Sequence, residues 1–546
     1  MTTVAVAWGR YLAEEHRAPI YALAGSGNFE LLASFHSAGG EYVAAGHESA
    51  AVGMAAGWAA SADQVGIASV HQGPGFTNAL TALFDAAKGR VPLVLIVPDL
   101  GIRARTHHQW VDQRGLLEAA DLPIAVTQVS QAANSLAELQ HAIWTARSAR
   151  QVQVMLLPID MLHQEAGSPS LLTRATVTPE ASVTNLARAV VEIQKARRPL
   201  IIAGRGALWS NAGPQLELLA ERLEAPVATT APVHGLFAES PWSIGIVGGF
   251  AAPATAQAAR EADLVLAVGT SLDNWTTAGG RLPAADTPIV RIDNGRTEDE
   301  SKQLILRGDA RETLEALVEM LPDPLAGRST WGRESVARFL NDPADERIPN
   351  DGVHGLDPRA LLAQLNEVLP KERIVCLDSG HFIALATMYL TRISGPNVLF
   401  GQDFQSVGLG LFRAIGAAMA RPELLCVALL GDGGAGMSLL ELHAAIDLEL
   451  PILVMVMNDA AYGAEVHDFR PRGIPVAIAQ FPVRNWAALA KSMGAEGIVV
   501  GTLSDIDRIL PWLASRRGPL LLDCRIDPDV SAMSVLTEEG RAEWAH

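Results

Sequence analysis

Short apolar runs rich in Val, Ile and Leu alternate with Ala/Leu-rich helical stretches along almost the whole chain. The clearest runs are VGIASV (65–70), VPLVLIV (91–97), RRPLIIAG (197–204), ADLVLAVG (262–269), LLCVALLG (424–431) and LPILVMVMN (450–458). They do not alternate apolar with polar residues as half-exposed strands do. Strands of a parallel sheet need not, because helices cover both faces. The pattern predicts an α/β protein built from doubly wound parallel sheets. Two stretches break it. Residues 164–184 are rich in Ser, Thr and Pro, and residues 341–357 are polar with Pro343, Pro349 and two glycines. Read as linkers, they divide the chain into about 1–165, 183–325 and 355–530, three domains of ordinary size.

Charge and cysteine usage narrow the classes of function. Lys plus Arg number 42 against 60 Asp plus Glu, a net charge of −18, and no basic run of nucleic-acid type is present. A polyanion would be repelled, so nucleic acid is not expected as a partner. Cys376, Cys426 and Cys524 each lie in an apolar stretch, as reduced core residues of a cytosolic protein do. Arg10, Glu14, Glu15 and Arg17 interrupt the place where a signal peptide needs an apolar region. No uncharged apolar run approaches the roughly 18 residues of a membrane helix. The expectation is a cytoplasmic protein without a membrane partner.

Residues 66–99 and 426–459 share one layout: an apolar strand, a glycine-rich turn, a helix, a Pro and a second strand ending in Asp. That repetition is compatible with a duplicated fold, and its value lies in what occupies the two turns. In the later copy the strand runs into Gly431-Asp432-Gly433-Gly434. Glycines there let a backbone approach a ligand closely, and the helix N-terminus favours an anion. Asp432 is an oxygen donor for a hard cation, or simply the N-cap of the helix. The second strand ends in Asn458-Asp459-Ala460-Ala461-Tyr462-Gly463. In a parallel sheet its end lies beside the turn at 431–434, where open α/β sheets bind ligands. Asp432 and Asp459 thus converge, and a cation between them would relieve their repulsion.

GDG followed about thirty residues later by an Asn pair, within strand–helix–strand, resembles the thiamine-diphosphate (ThDP) binding motif. The likeness extends along the chain to the superfamily of pyruvate decarboxylase, benzoylformate decarboxylase and acetolactate synthase. It implies a pyrimidine-binding first domain, a Rossmann-like middle domain and a diphosphate-binding third domain. It also implies Mg²⁺ held by Asp432, Asp459 and the carbonyl of Ala461, with Gly433, Gly434, Tyr462 and Gly463 around the cofactor. Asp459 departs from the family's usual Asn and adds negative charge near the diphosphate. Val407 is similar to the bulky residue that bends ThDP, and Gly380 and His381 in DSGHF to the loop that grips the diphosphate.

ThDP chemistry needs a carboxyl group beside the aminopyrimidine. The stretch EYVAAGHESAAVGMAAGWA supplies Glu48 at the start of a helix of small residues that can pack closely. There it would be desolvated, as a proton shuttle requires, or would simply complement the helix dipole. The resemblance favours the first, since HE precedes a Gly73-Pro74-Gly75 turn that ends at Asn78. His71, with Ser26 beside Gly25 in LAGSGNFE, is similar to the benzoylformate decarboxylases, whereas the second usual histidine is replaced near Trp275 and Thr276. Glu465 falls where pyruvate decarboxylases place a glutamate beside the thiazolium. His107 and His108 are candidates for a substrate channel or an exposed pair.

In the middle domain GRGA lacks the third glycine of a dinucleotide fingerprint, and FAD is not expected. The leading expectation is a ThDP-dependent 2-oxo acid decarboxylase or carboligase acting on a 2-oxo acid or aldehyde. An acetolactate-synthase-like acyl transferase and a noncatalytic paralogue are the alternatives. The resemblance further implies a homodimer or homotetramer with active sites between subunits.

Overall fold

The computed structural model describes residues 2–100, 105–167, 180–295, 303–322, 329–332, 336, 355–390, 393 and 397–531. They form three six-stranded parallel sheets flanked by helices. The first contains β1 (Ile20–Ala22), β2 (Tyr42–Ala44), β3 (Gly66–Ser69), β4 (Leu93–Asp99), β5 (Ile124–Gln128) and β6 (Val152–Pro158). The second contains β7 (Pro199–Ala203), β8 (Val227–Thr229), β9 (Ser243–Ile246), β10 (Leu264–Val268), β11 (Ile289–Asp293) and β12 (Gln303–Arg307). The third contains β13 (Arg373–Leu377), β14 (Val398–Phe400), β15 (Leu425–Gly431), β16 (Ile452–Asn458), β17 (Glu496–Val500) and β18 (Leu520–Arg525). All six apolar runs singled out in the sequence are central strands, and their side chains are almost wholly buried.

Strand order explains the internal likeness. The first sheet runs β2-β1-β3-β4-β6-β5 and the third runs β14-β13-β15-β16-β18-β17, the same order offset by twelve strands. The middle sheet runs β12-β11-β10-β7-β8-β9, which read from its other edge is the dinucleotide-binding order. In the outer sheets the order reverses between β1 and β3, and between β13 and β15. Ligands of open α/β sheets bind at the carboxyl ends of such strands. The glycine turns therefore sit where the topology opens a crevice.

The first and third domains share one apolar core. The helices Glu48–Ala62 and Gly410–Ala420 make the junction, and both are small-residue helices. A Cβ on Gly57 would enter the backbone of Arg413, one on Gly416 the carbonyl of Met54, and one on Gly53 would lie 2.8 Å from Phe412 Cβ. Glycine is therefore what lets the axes approach. The Arg413 guanidinium is buried against Asp85, and the Phe404 amide donates to the same carboxylate at 3.1 Å. The middle domain is tied on by Arg205, which donates to Asp403 Oδ1 at 2.8 Å and to the Gly89 carbonyl at 3.2 Å.

His234 makes a second junction. It is buried beside the middle sheet and bonds the carbonyl of Leu390 in the third domain. Burial pushes its pKa down to about 4. As the pH falls the unfolded chain binds this proton first, so the stabilisation is complete above pH about 6.5 and is withdrawn towards pH 4. A separation of that size corresponds to roughly 3 kcal/mol. The unfolding midpoint of the wild type should fall with acid across that window, and His234→Gln should flatten the slope. Parallel curves for the two proteins would dismiss this histidine as the cause.

Candidate active site

On the first domain, the ends of β1, β2 and β3 bring Ser26, Glu48 and His71 to one edge. Glu48 opens its helix after the N-cap His47, and the residue is only 8% exposed. Asn78, one turn into the helix Pro74–Lys88, donates its Nδ2 to Glu48 Oε2 at 3.0 Å. Gly75 faces the other carboxylate oxygen, where a Cβ would lie 3.2 Å away. The turn before it needs Gly73, whose φ is +63° and whose Cβ would strike the Gln109 carbonyl.

His71 has a defined tautomer. Its Nδ1 lies 3.0 Å from the Gln72 carbonyl, which can only accept, so Nδ1 carries the proton. In the neutral ring Nε2 then offers a lone pair, and Ser26 Oγ donates to it at 3.2 Å. A Cβ on Gly25 would enter the imidazole, so glycine there gives the ring its room. Ser26 is exposed, leaving the pair open to a small molecule.

On the third domain, the ends of β13, β15 and β16 bring Asp432, Asp459 and His381 together. Asp459 Oδ2 lies 3.0 Å from His381 Nε2, and its Oδ1 accepts the Ala461 amide at 3.2 Å. Asp432 accepts the Gly433 amide at 2.9 Å. Burial first, and Asp459 beside it second, raise the Asp432 carboxyl to about 7. A cation between the two would offset both causes. A Cβ on Gly433 would meet the Tyr462 ring at 2.5 Å and one on Gly434 would come within 3.4 Å of Val407. Gly463 is similarly closed against Asp459 and His381. The surface offered here is backbone, which suits an anionic group such as a diphosphate. Among the described residues no group of three or more His, Cys, Asp and Glu could hold a metal ion. A cation here would have two carboxylates and would need carbonyl or ligand oxygens besides.

Other predicted residues stand apart. Glu465 lies on the exposed side of the helix Gly463–Phe469, and His107 and His108 are exposed. Gly380 is closed by the ring of Phe382. Sequence reading missed Asp378, a wholly buried carboxylate that accepts the amides of Gly408, Leu409 and Gly410. Burial raises it to about 6 despite those bonds. An Asp directly after an apolar strand, in VCLDSG, was the available signal. A cavity of about 1130 Å³ opens at the edge of the middle sheet, lined by Arg205, Arg291, Trp275, Phe400 and Gln402 among others. Glu48, Asp432 and Asp459 do not line it, so cavity size does not mark this chemistry.

A buried carboxylate on one sheet edge and a glycine turn with paired carboxylates on a second edge of the same topology form the arrangement that the ThDP resemblance implies. Three thiamine pyrophosphate enzyme domains match in order: the N-terminal TPP binding domain at 2–116, the central domain at 186–317 and the C-terminal TPP binding domain at 378–524. The chain belongs to the thiamine pyrophosphate enzyme superfamily. A probable 2-ketoarginine decarboxylase of Pseudomonas aeruginosa is 29% identical, over 93% of this chain and 91% of its own length. A sulfoacetaldehyde acetyltransferase of Alcaligenes xylosoxydans is 26% identical over 89% and 86%. The acetolactate synthase isozyme 3 large subunit of Escherichia coli is 26% identical over 83% and 82%. In fold, a ThDP-dependent 4-hydroxybenzoylformate decarboxylase of Rhodococcus jostii superposes with a TM-score of 0.80, covering 96% of this chain and 99% of that one at 21% identity.

Proposed function

We propose that this ThDP-dependent enzyme is a 2-oxo acid decarboxylase of the benzoylformate decarboxylase type. The observation that carries the reading is the Ser26–His71 pair set on the same edge as Glu48, with the imidazole lone pair turned to an open hydroxyl. Domain 1–165 would take the pyrimidine, 183–325 would be the linking middle domain, and 355–530 would hold the diphosphate. Gly25, Gly380, His381, Val407, Gly433, Gly434, Tyr462 and Gly463 would shape the cofactor site. Mg²⁺ would be held by Asp432, Asp459 and the Ala461 carbonyl, since hard oxygen donors suit it.

When bound, ThDP supplies a carbon acid that adds to the substrate carbonyl and an electron sink for the bond that breaks. The chain's own residues do the rest. Glu48, held by Asn78, gives and takes a proton at the pyrimidine edge. By turning its one O–H from His71 to a substrate carboxylate, Ser26 would free His71 Nε2 to exchange a proton with the substrate oxygen. Glu465, at the exposed rim of the third domain, would be the further carboxylate beside the thiazolium. The enzyme would work in the cytoplasm as a homodimer or homotetramer.

A second reading, acyl transfer of the acetolactate synthase kind, is supported by the acetyltransferase and synthase relatives. A panel of 2-oxo acids, assayed for CO₂ with and without aldehyde acceptors, separates the two. The decarboxylase reading expects CO₂ and free aldehyde without acceptor, and a His71→Ala variant slower by about a hundredfold. CO₂ release that requires an acceptor would replace it with acyl transfer. Failure of the protein to take up ThDP and Mg²⁺ in calorimetry would return the noncatalytic alternative.

A further inference from the structure

Glu441 is a buried carboxylate that the chemistry above leaves unused. It follows the helix Asp432–Ser438 and is 3% exposed. Its partner comes from the other end of the chain: the Gly46 amide donates to both oxygens, at 2.9 and 3.2 Å. His443 Nε2 stands 3.9 Å away and His47 is the other imidazole facing it. No Lys or Arg is paired with it among the described residues. Burial accordingly pushes its carboxyl above the usual carboxylate range. Gly46 itself is exposed and water could have satisfied its amide. Holding a carboxylate in this place is therefore not needed to saturate the backbone, and it carries a desolvation cost.

What the contact does hold is the turn before Glu48. His47 Nδ1 caps the helix by accepting the Ser49 amide at 3.1 Å, and Ser49 Oγ donates to the Asn78 carbonyl at 2.5 Å. Glu48 is gripped between the two, with Asn78 on its carboxylate. On the upstream side the fixed point is Glu441. A Cβ on Gly46 would lie 2.9 Å from His443 Nε2 and 3.2 Å from Glu441 Oε2, so the turn lies flat against this pair.

We propose that Glu441 is a positioning residue for Glu48: its carboxylate clamps the Gly46 amide and so fixes where the helix starts and where the Glu48 side chain is delivered. The inference rests on the reading of Glu48 as the carboxylate that activates the cofactor. Displacements of about 1 Å at such a group can cost on the order of a hundredfold in rate. The carboxylate lies on the diphosphate domain, so the clamp also ties the placement of Glu48 to the domain that carries Asp432.

The test uses the holoenzyme with ThDP and Mg²⁺, reading hydrogen–deuterium exchange at the cofactor's thiazolium carbon, kcat, KM and ThDP affinity. In the apo-protein, amide exchange of the peptide around 45–48 is read as well. Glu441→Ala should raise that amide exchange and slow both thiazolium exchange and kcat by about 10- to 100-fold, with KM and ThDP affinity near wild type. Glu441→Gln, which still offers a carbonyl oxygen to Gly46, should recover most of the rate. Added to Glu48→Gln, Glu441→Ala should cost little more, because both act through one group. Should Glu441→Ala not fold, Glu441→Asp keeps the charge, withdraws the reach and should give the same selective loss. Wild-type thiazolium exchange in the folded variant, or a loss fully additive to Glu48→Gln, overturns the clamp. Wild-type exchange in Glu48→Gln alone instead removes the reading of Glu48, and the clamp with it.

Discussion

Glu48→Gln should leave a folded, ThDP-binding protein whose turnover is lower by roughly 10²- to 10⁴-fold, the usual worth of a positioned acid–base group. The amide is isosteric, and the hydrogen bond from Asn78 Nδ2 to Oε2 can be kept by the Gln carbonyl oxygen. The helix Glu48–Ala62 is fixed by its glycine-backed junction with Gly410–Ala420, and not by the carboxylate. Stability should therefore change little, and a modest loss of the favourable dipole interaction is the expected cost. The groups around it, Asn78, Ser26 and Ser49, do not ionise near neutral pH and offer no substitute for the lost carboxylate. Steady-state kinetics beside calorimetric ThDP titration checks this. Turnover within a few-fold of wild type would rule out the activating role, and loss of ThDP uptake would mark Glu48 as a binding residue.

The fold and half of each candidate edge were legible in the sequence for one physical reason: both are local. A buried parallel strand announces itself as an apolar run, and a ligand turn at its end as glycine with a carboxylate, so β15 and Asp432 could be read together. Asp459 followed because the next strand in the chain, β16, is also the neighbour in space. The Glu48 helix was legible from its run of Ala and Gly, which only a close helix partner explains. Its partner, Gly410–Ala420, was not, because nothing within either segment names the other. Glu441 shows the limit most clearly. In LLELHAAI it looks like the polar position of a helix, and only a contact across 395 positions buries it. Asp378 is the same case, a carboxylate whose amide partners lie some thirty residues on. Glu465, which the resemblance sets beside the thiazolium, stands on the exposed side of its helix.

Asp432→Ala should weaken cation and ThDP binding together, and mixing it with Glu48→Gln should restore activity that neither variant has alone. The argument begins within one chain. The Glu48 turn is held by Glu441, nine positions beyond Asp432. The helix Asp432–Ser438 and the 3-10 turn Leu439–Glu441 separate the contact from the Asp432 turn. Among the described residues, the Glu48 carboxylate takes its side-chain hydrogen bond from Asn78 of its own domain and none from the Asp432 turn. The third domain meanwhile leaves large apolar side chains uncovered: Met437 is 57% exposed, Leu440 81% and Ile478 97%. Apolar groups clustered around a ligand turn call for a covering surface, and the first domain of a second copy supplies one of matching fold. If each site joins Glu48 of one subunit to Asp432 of the other, a mixed dimer has one site with both residues intact and one with both lost. Complete subunit exchange would then return up to about a quarter of wild-type activity, since half the dimers are mixed and each holds one working site. Sites built within a single chain return none. Native mass measurement that establishes exchange, with no activity regained, would place both residues in one subunit's site.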